Sequence, residues 1–121
     1  MARKPVEPLT DEALCARLGT ELEGWTLSDG AIRRVYQTDG WSHTLMVANH
    51  IAFLAEAADH HPEMVLGWNR VEVRLRTHEP PGITGKDLEL ARRIEESIRW
   101  APGPESALEG PASPFVEPGS A

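Results

Sequence analysis

A chain of 121 residues with 12 Lys+Arg against 19 Asp+Glu carries a formal charge of −7. That length fits one domain, large enough to bury a core without disulfide staples, and the acid excess repels phosphate backbones and argues against nucleic-acid binding. Apolar runs fall well short of the ~20 residues a membrane helix needs, the N-terminus lacks the apolar stretch of a secretory signal, and Cys15 is the single cysteine, so a cytoplasmic protein without a disulfide or thiolate zinc cage is expected.

Residues 1–9 read as a flexible N-terminal arm. Thr10 is a candidate N-cap, with Asp11 and Glu12 where a helix start favours acid. Leu14 and Leu18 follow at helical spacing, which predicts a short helix over 10–19. Trp25-Thr26-Leu27 enters a turn at Asp29-Gly30, whose residues accept the positive φ angles of a tight hairpin. Ile32 to Gln37 makes the returning strand, with apolar residues on both faces.

The longest segment opens at Asp39-Gly40-Trp41-Ser42. Val47, Ala48, Ile51, Leu54, Ala55 and Ala58 form an apolar stripe at helical spacing. Pro62 disfavours helix at His61, so the helix should end at His60 or His61. A second hairpin follows, from Met64 through a turn near Trp68-Asn69-Arg70. Val71, Val73, Leu75 and Thr77 then alternate with Arg70, Glu72, Arg74, Arg76 and His78, as in a strand with one wet face. Thr84 and Asp87 resemble a capping box, and Leu88, Ala91, Ile94 and Ile98 continue a last helix to about Trp100. The domain therefore spans residues 10–100, in the order α-β-β-α-β-β-α. Residues 101–121 hold five of the ten prolines and read as a disordered tail, with Phe115-Val116 as its one bulky apolar pair.

Chemistry concentrates in Glu56-Ala57-Ala58-Asp59-His60-His61-Pro62-Glu63 and Thr77-His78-Glu79. On a continuous helix Glu56 and His60 share a face. A carboxylate there can accept the imidazole N–H, fix its tautomer and raise its pKa. A hairpin packed on the helix could bring His78 to the pair, making a proton-handling pocket of three histidines and a carboxylate. Taken singly, each residue has a plainer reading: histidines at a helix C-terminus are favoured by its dipole, and His78 and Glu56 suit a wet surface. His43 and His50 have no partner pattern. Zinc would accept three histidines and a glutamate, but the spacing is not His-Glu-x-x-His, and adjacent helical histidines diverge by about 100°. The Arg70, Arg74, Arg76 row, interleaved with Glu72, reads as a solvated face.

The run Glu56-x-x-x-His60-His61-Pro62-Glu63, then Trp68-Asn69-x-Val71-x-Val73-x-Leu75-x-Thr77-His78-Glu79, then Gly82-Ile83-Thr84 and Asp87-Leu88, resembles the pterin-4a-carbinolamine dehydratase family. Gly24-Trp25 and Asp29-Gly30-Ala31-Ile32 are also similar to it. The resemblance covers about residues 20–99. Trp68 stands where many members have Tyr, and Pro80-Pro81 replaces smaller residues.

The resemblance implies an α+β fold: one four-stranded antiparallel sheet with helices on one face. It implies a homodimer or homotetramer, and a hydro-lyase that dehydrates 4a-hydroxytetrahydropterin to quinonoid dihydropterin, recycling a hydroxylase cofactor. The family's active-site histidines fall on His60, His61 and His78, and its supporting carboxylate on Glu56. Backbone around Thr77, His78 and Glu79 would bind the pterin ring. The pterin is then substrate, with no metal or bound cofactor, and neither nucleic acid nor membrane as partner. The other reading is a catalytically idle dehydratase-like dimer serving as a binding, transcriptional-dimerisation or assembly-chaperone module, with the tail as the feature that would meet a protein partner.

Overall fold

The structure, a computed structural model, describes residues 6–110 and 115–117. Thr10 caps the first helix as expected, its hydroxyl accepting from Ala13 N–H at 3.1 Å. This helix, α1, runs Asp11–Glu21 and carries Gly19 inside it, two residues past the expected stop. The reversal comes at Gly24, where φ is +93° and a Cβ would collide with the Arg34 guanidinium. Only glycine meets both demands.

The first hairpin joins β1 (Thr26–Ser28) to β2 (Ala31–Gln37) through Asp29 and Gly30, both at positive φ. The helix α2 spans Trp41–Ala58. A second hairpin joins β3 (Glu63–Gly67) to β4 (Arg70–Leu75), and α3 spans Gly85–Ile98. The strands form one antiparallel sheet in the order β1-β2-β4-β3. The three helices cover one face, giving the expected α+β architecture in the expected order.

Alternation along the strands assigns the two faces. Val71, Val73 and Leu75 of β4 point to the helices and are fully buried. They meet Leu14 and Leu18 of α1, Val47 and Ile51 of α2, and Leu88, Ala91 and Ile94 of α3 in one cluster. Arg70, Glu72 and Arg74 point to the uncovered face. There Arg33 donates to Glu72 at 2.7 Å. This hydrogen bond holds the Glu72 carboxyl below its ordinary value of 4.5. The pair therefore favours folding above that value, and the contribution fades as pH falls through the lowered one.

β2 buries both faces, and its helix side includes a cation: Arg34 is 3% exposed. Its partner is Glu95 of α3, 3.3 Å away. Glu95 Oε1 also accepts from Trp25 Nε1 at 2.9 Å and from the Tyr36 hydroxyl at 2.7 Å. Burial first, and the Glu95 charge second, push the Tyr36 phenol above its usual range, so it stays a donor. This cluster ties β2 to α3. Tyr36→Phe removes one charge-assisted hydrogen bond, and urea unfolding should show a loss of about 1.5–3 kcal/mol.

Two ends of the chain depart from expectation. The arm is anchored at Leu9, whose N–H donates to Ile83 O at 2.8 Å, while residues 1–5 lie outside the described residues. In the tail, residues 101–110 form neither helix nor strand. Val116, however, is 2% exposed within the core, with Phe115 packed beside it. An apolar pair can offset the entropy of ordering a short segment where a hydrophobic hollow receives it. The rest of the tail, 111–114 and 118–121, lies outside the described residues.

Candidate active site

The histidine segment is set by where α2 stops. The helix ends at Ala58, and Asp59 turns left-handed at φ 50°, its N–H donating to Ala55 O and Glu56 O. Aspartate tolerates that conformation better than most residues. His60 N–H closes the turn on Ala55 O at 3.1 Å. His60 and His61 are thus beyond the helix, and the helical phase that would bring Glu56 to His60 no longer applies.

The expected Glu56–His60 pair is replaced by two others. Glu56 Oε1 lies 2.7 Å from His61 Nε2, with both side chains largely exposed. His60 Nε2 instead lies 2.6 Å from Asp87 Oδ1. A carboxylate only accepts, so Nε2 is the donor in this pair.

Asp87 belongs to the first turn of α3 and is fully buried. Its Oδ2 accepts from the Thr77 hydroxyl at 2.7 Å and from Thr84 N–H at 3.0 Å. Thr77 and Thr84 hydroxyls lie 2.7 Å apart. With Thr77 donating to Asp87, Thr84 donates to Thr77, and Thr84 also accepts from Lys86 N–H at 3.2 Å. The capping box is therefore real, and the same carboxylate also holds His60. Reading Thr84-x-x-Asp87 only as a helix start missed this second use. The sequence signal available was an acid in a cap three residues after a threonine, close downstream of Thr77-His78.

His78 follows Thr77 and opens a loop closed by reciprocal backbone bonds between Thr77 and Gly82, at 2.8 and 3.1 Å. His61 and His78 line one groove of about 330 Å³ on the uncovered side of the sheet. That volume is at the lower end for small-molecule sites. Arg74, Arg76, Glu63 and Asp29 also line it. Arg74 is braced by Ser28 O at 3.1 Å and by Glu63 at 3.5 Å, so part of the row read as a solvated face is a pocket wall. His60 does not line the groove. It sits on the helix side, its side chain 12% exposed, against Asp87. Thr77 is buried toward Asp87, and Glu79 is exposed. Of the expected set, then, His61 and His78 share the groove, His60 is tied to it through Asp87 and Thr77, and Glu56 supports His61 from outside.

Among the described residues no group of three or more His, Cys, Asp or Glu side chains is placed to hold a metal ion. Nor is any helix there long and apolar enough to cross a membrane.

The model of the pterin 4 alpha carbinolamine dehydratase family matches residues 7–97. The chain belongs to this family. A Roseiflexus castenholzii protein, named as a candidate pterin-4-alpha-carbinolamine dehydratase, is 41% identical over 90 residues, covering 74% of this chain and 96% of the relative. An Aquifex aeolicus protein of the same name is 39% identical over 94 residues, covering 78% and 94%. A crystal structure from Brucella melitensis, described as a transcriptional coactivator/pterin dehydratase, aligns with a TM-score of 0.69 at 34% identity. It covers 74% of this chain and 97% of that one. The family match stops before the tail.

Asp87→Ala would leave the His60, Thr77 and Thr84 donors unpaired in a dry site. Urea unfolding should show a loss of about 3 kcal/mol or more, whereas Glu56→Ala on the exposed helix end should cost below about 1 kcal/mol.

Proposed function

We propose that this dehydratase-family chain removes water from 4a-hydroxytetrahydropterin to give quinonoid dihydropterin, by general acid–base catalysis from histidine. The observation that carries the reading is the His60–Asp87 bond beside a groove walled by His61 and His78. The substrate is a carbinolamine. As its C–O bond breaks, the adjacent ring nitrogen forms the C=N bond, one imidazolium protonates the departing hydroxyl, and a second imidazole takes the proton from nitrogen. Water leaves and charge balances. Nothing in this sequence of steps requires a metal or bound cofactor, since the electron pairs come from the substrate nitrogen, the protons pass between substrate and imidazoles, and there is no net oxidation or reduction.

His60 and His78 are assigned as the acid–base pair, His78 from the groove wall and His60 from the groove's edge, one residue along the chain from His61. Asp87 fixes the His60 tautomer and bears on Thr77, the neighbour of His78. His61, steadied by Glu56, holds the pterin, and backbone around Thr77–Glu79 meets the flat ring. A cytoplasmic location accompanies this reading. Proton-transfer assistance is typically worth ~10²–10⁴ in rate. Stopped-flow dehydration of a freshly generated 4a-hydroxytetrahydropterin should show acceleration by the wild type that falls by about 10² or more in His60→Ala and in His78→Ala. Glu56→Gln should change KM by no more than about fivefold. Turnover untouched by either histidine substitution would sink the assignment for that residue, and no acceleration by folded wild type would sink the reading.

The same proposal includes a homo-oligomer. α2 exposes Leu45, Met46 and Phe53, the last 71% exposed, and the edge strand β3 exposes Val65 and Leu66. Apolar patches and open strand edges together mark association surfaces. Sedimentation should give a species larger than the 13.3 kDa chain, and Phe53→Glu should shift it toward monomer. Wild type sedimenting as a monomer would remove this part.

A further inference from the structure

β2 outruns its neighbour. β1 pairs only with Ala31–Arg33, so the β1-side edge of β2 is open from Arg34 to Gln37. Successive residues of a strand direct their N–H and C=O to opposite sides. Thr38 N–H donates to Asn69 O, on the β4 side. Gln37 therefore offers its groups to the open side. The chain's own C-terminal segment meets them: Glu117 N–H donates to Gln37 O at 2.9 Å. Val116 is buried in the core, and the Phe115 ring lies 4.8 Å from that of His43, in the first turn of α2. A backbone bond on a strand edge, an alternate side chain in an apolar hollow and a ring contact are the features by which an extended peptide adds to a sheet.

We propose that the open edge of β2 and the first turn of α2 form a docking groove for an extended aromatic-Val-acidic segment, with Phe115–Glu117 as its tethered occupant. The occupant, not the groove, lies beyond the family core: β2 and α2 fall inside the family match, which ends at residue 97, and Phe115–Glu117 follow it. Tethering through residues 99–114 sets an effective concentration of order mM. A segment of modest affinity then stays docked, and an outside segment must compete with it. Gln37 is the far end of β2 from Ala31, which lines the histidine groove. Occupancy of the docking groove therefore leaves the catalytic groove open.

The test uses the full chain. In wild type, amide exchange and nuclear Overhauser spectra should show the Glu117 N–H slowed at least about tenfold relative to an unstructured peptide, with Phe115 protons close to the His43 ring. In the full-length double variant Phe115→Ala/Val116→Asp, the tail is released but still present. A fluorescent peptide of residues 109–121 should bind this variant at least about tenfold more tightly than wild type, because the tethered competitor is gone. The same peptide carrying Val116→Asp should not bind. A folded variant that takes up no peptide at about 1 mM overturns the groove, as does equal binding of the Val116→Asp peptide. Should the variant fail to fold, the wild-type spectra decide: an unprotected Glu117 amide with no Phe115–His43 proximity overturns the proposal.

Discussion

The arrangement of the site depends on a carboxylate withdrawn from water. Asp87 has no exposed surface, and burying a charged or polar oxygen without partners costs several kcal/mol. Three donors offset that cost, and they come from three parts of the chain: His60 after α2, Thr77 after β4 and Thr84 before α3. Each is held because the oxygen needs it. The carboxylate thus fixes the entry of α3, the exit of β4 and the plane of one imidazole together. A cap that only started a helix could tolerate several residue types. One that also orients a histidine needs two acceptor oxygens pointing in different directions.

Much of the fold was legible because it rests on periodicity. The alternation of Val71, Val73 and Leu75 places β4, Asp29-Gly30 marks the first hairpin, and the stripe from Val47 to Ala55 places α2. The family motif pointed to the right neighbourhood of histidines. The pairing within it was not legible, because it turns on one residue. Asp59 at positive φ ends α2 early and rotates His60 away from Glu56. A constraint from Pro62 on His61 is visible in sequence, but the residue that absorbs the reversal is not. Asp87 was hidden for a different reason: the capping-box spacing accounts for it fully, so nothing local called for a second partner. The tail was read from composition. Its average polarity concealed that two residues, Phe115 and Val116, suffice to dock it.

The domain places its two unusual features at opposite ends of the same elements. α2 begins beside Phe115 and ends at the histidine turn. β2 begins at the histidine groove and ends at the tail. Between them Arg34, Tyr36 and Glu95 fasten β2 to α3 through a largely buried polar cluster. Such clusters are sensitive to geometry, since a lost partner leaves a desolvated group behind. They resist sliding of strand against helix more than apolar packing alone does.

Gly82, which closes the loop carrying His78, adopts φ +126° and has Pro8 against it: a Cβ there would approach the proline ring to 3.2 Å. The next residue, Ile83, accepts the Leu9 N–H. The segment ahead of α1 is therefore a buttress for the loop that carries His78. Trimming of the chain into Pro8–Leu9 would be felt at the imidazole of His78 without touching any histidine. Residues 8–9 and the loop that carries His78 form one mechanical unit.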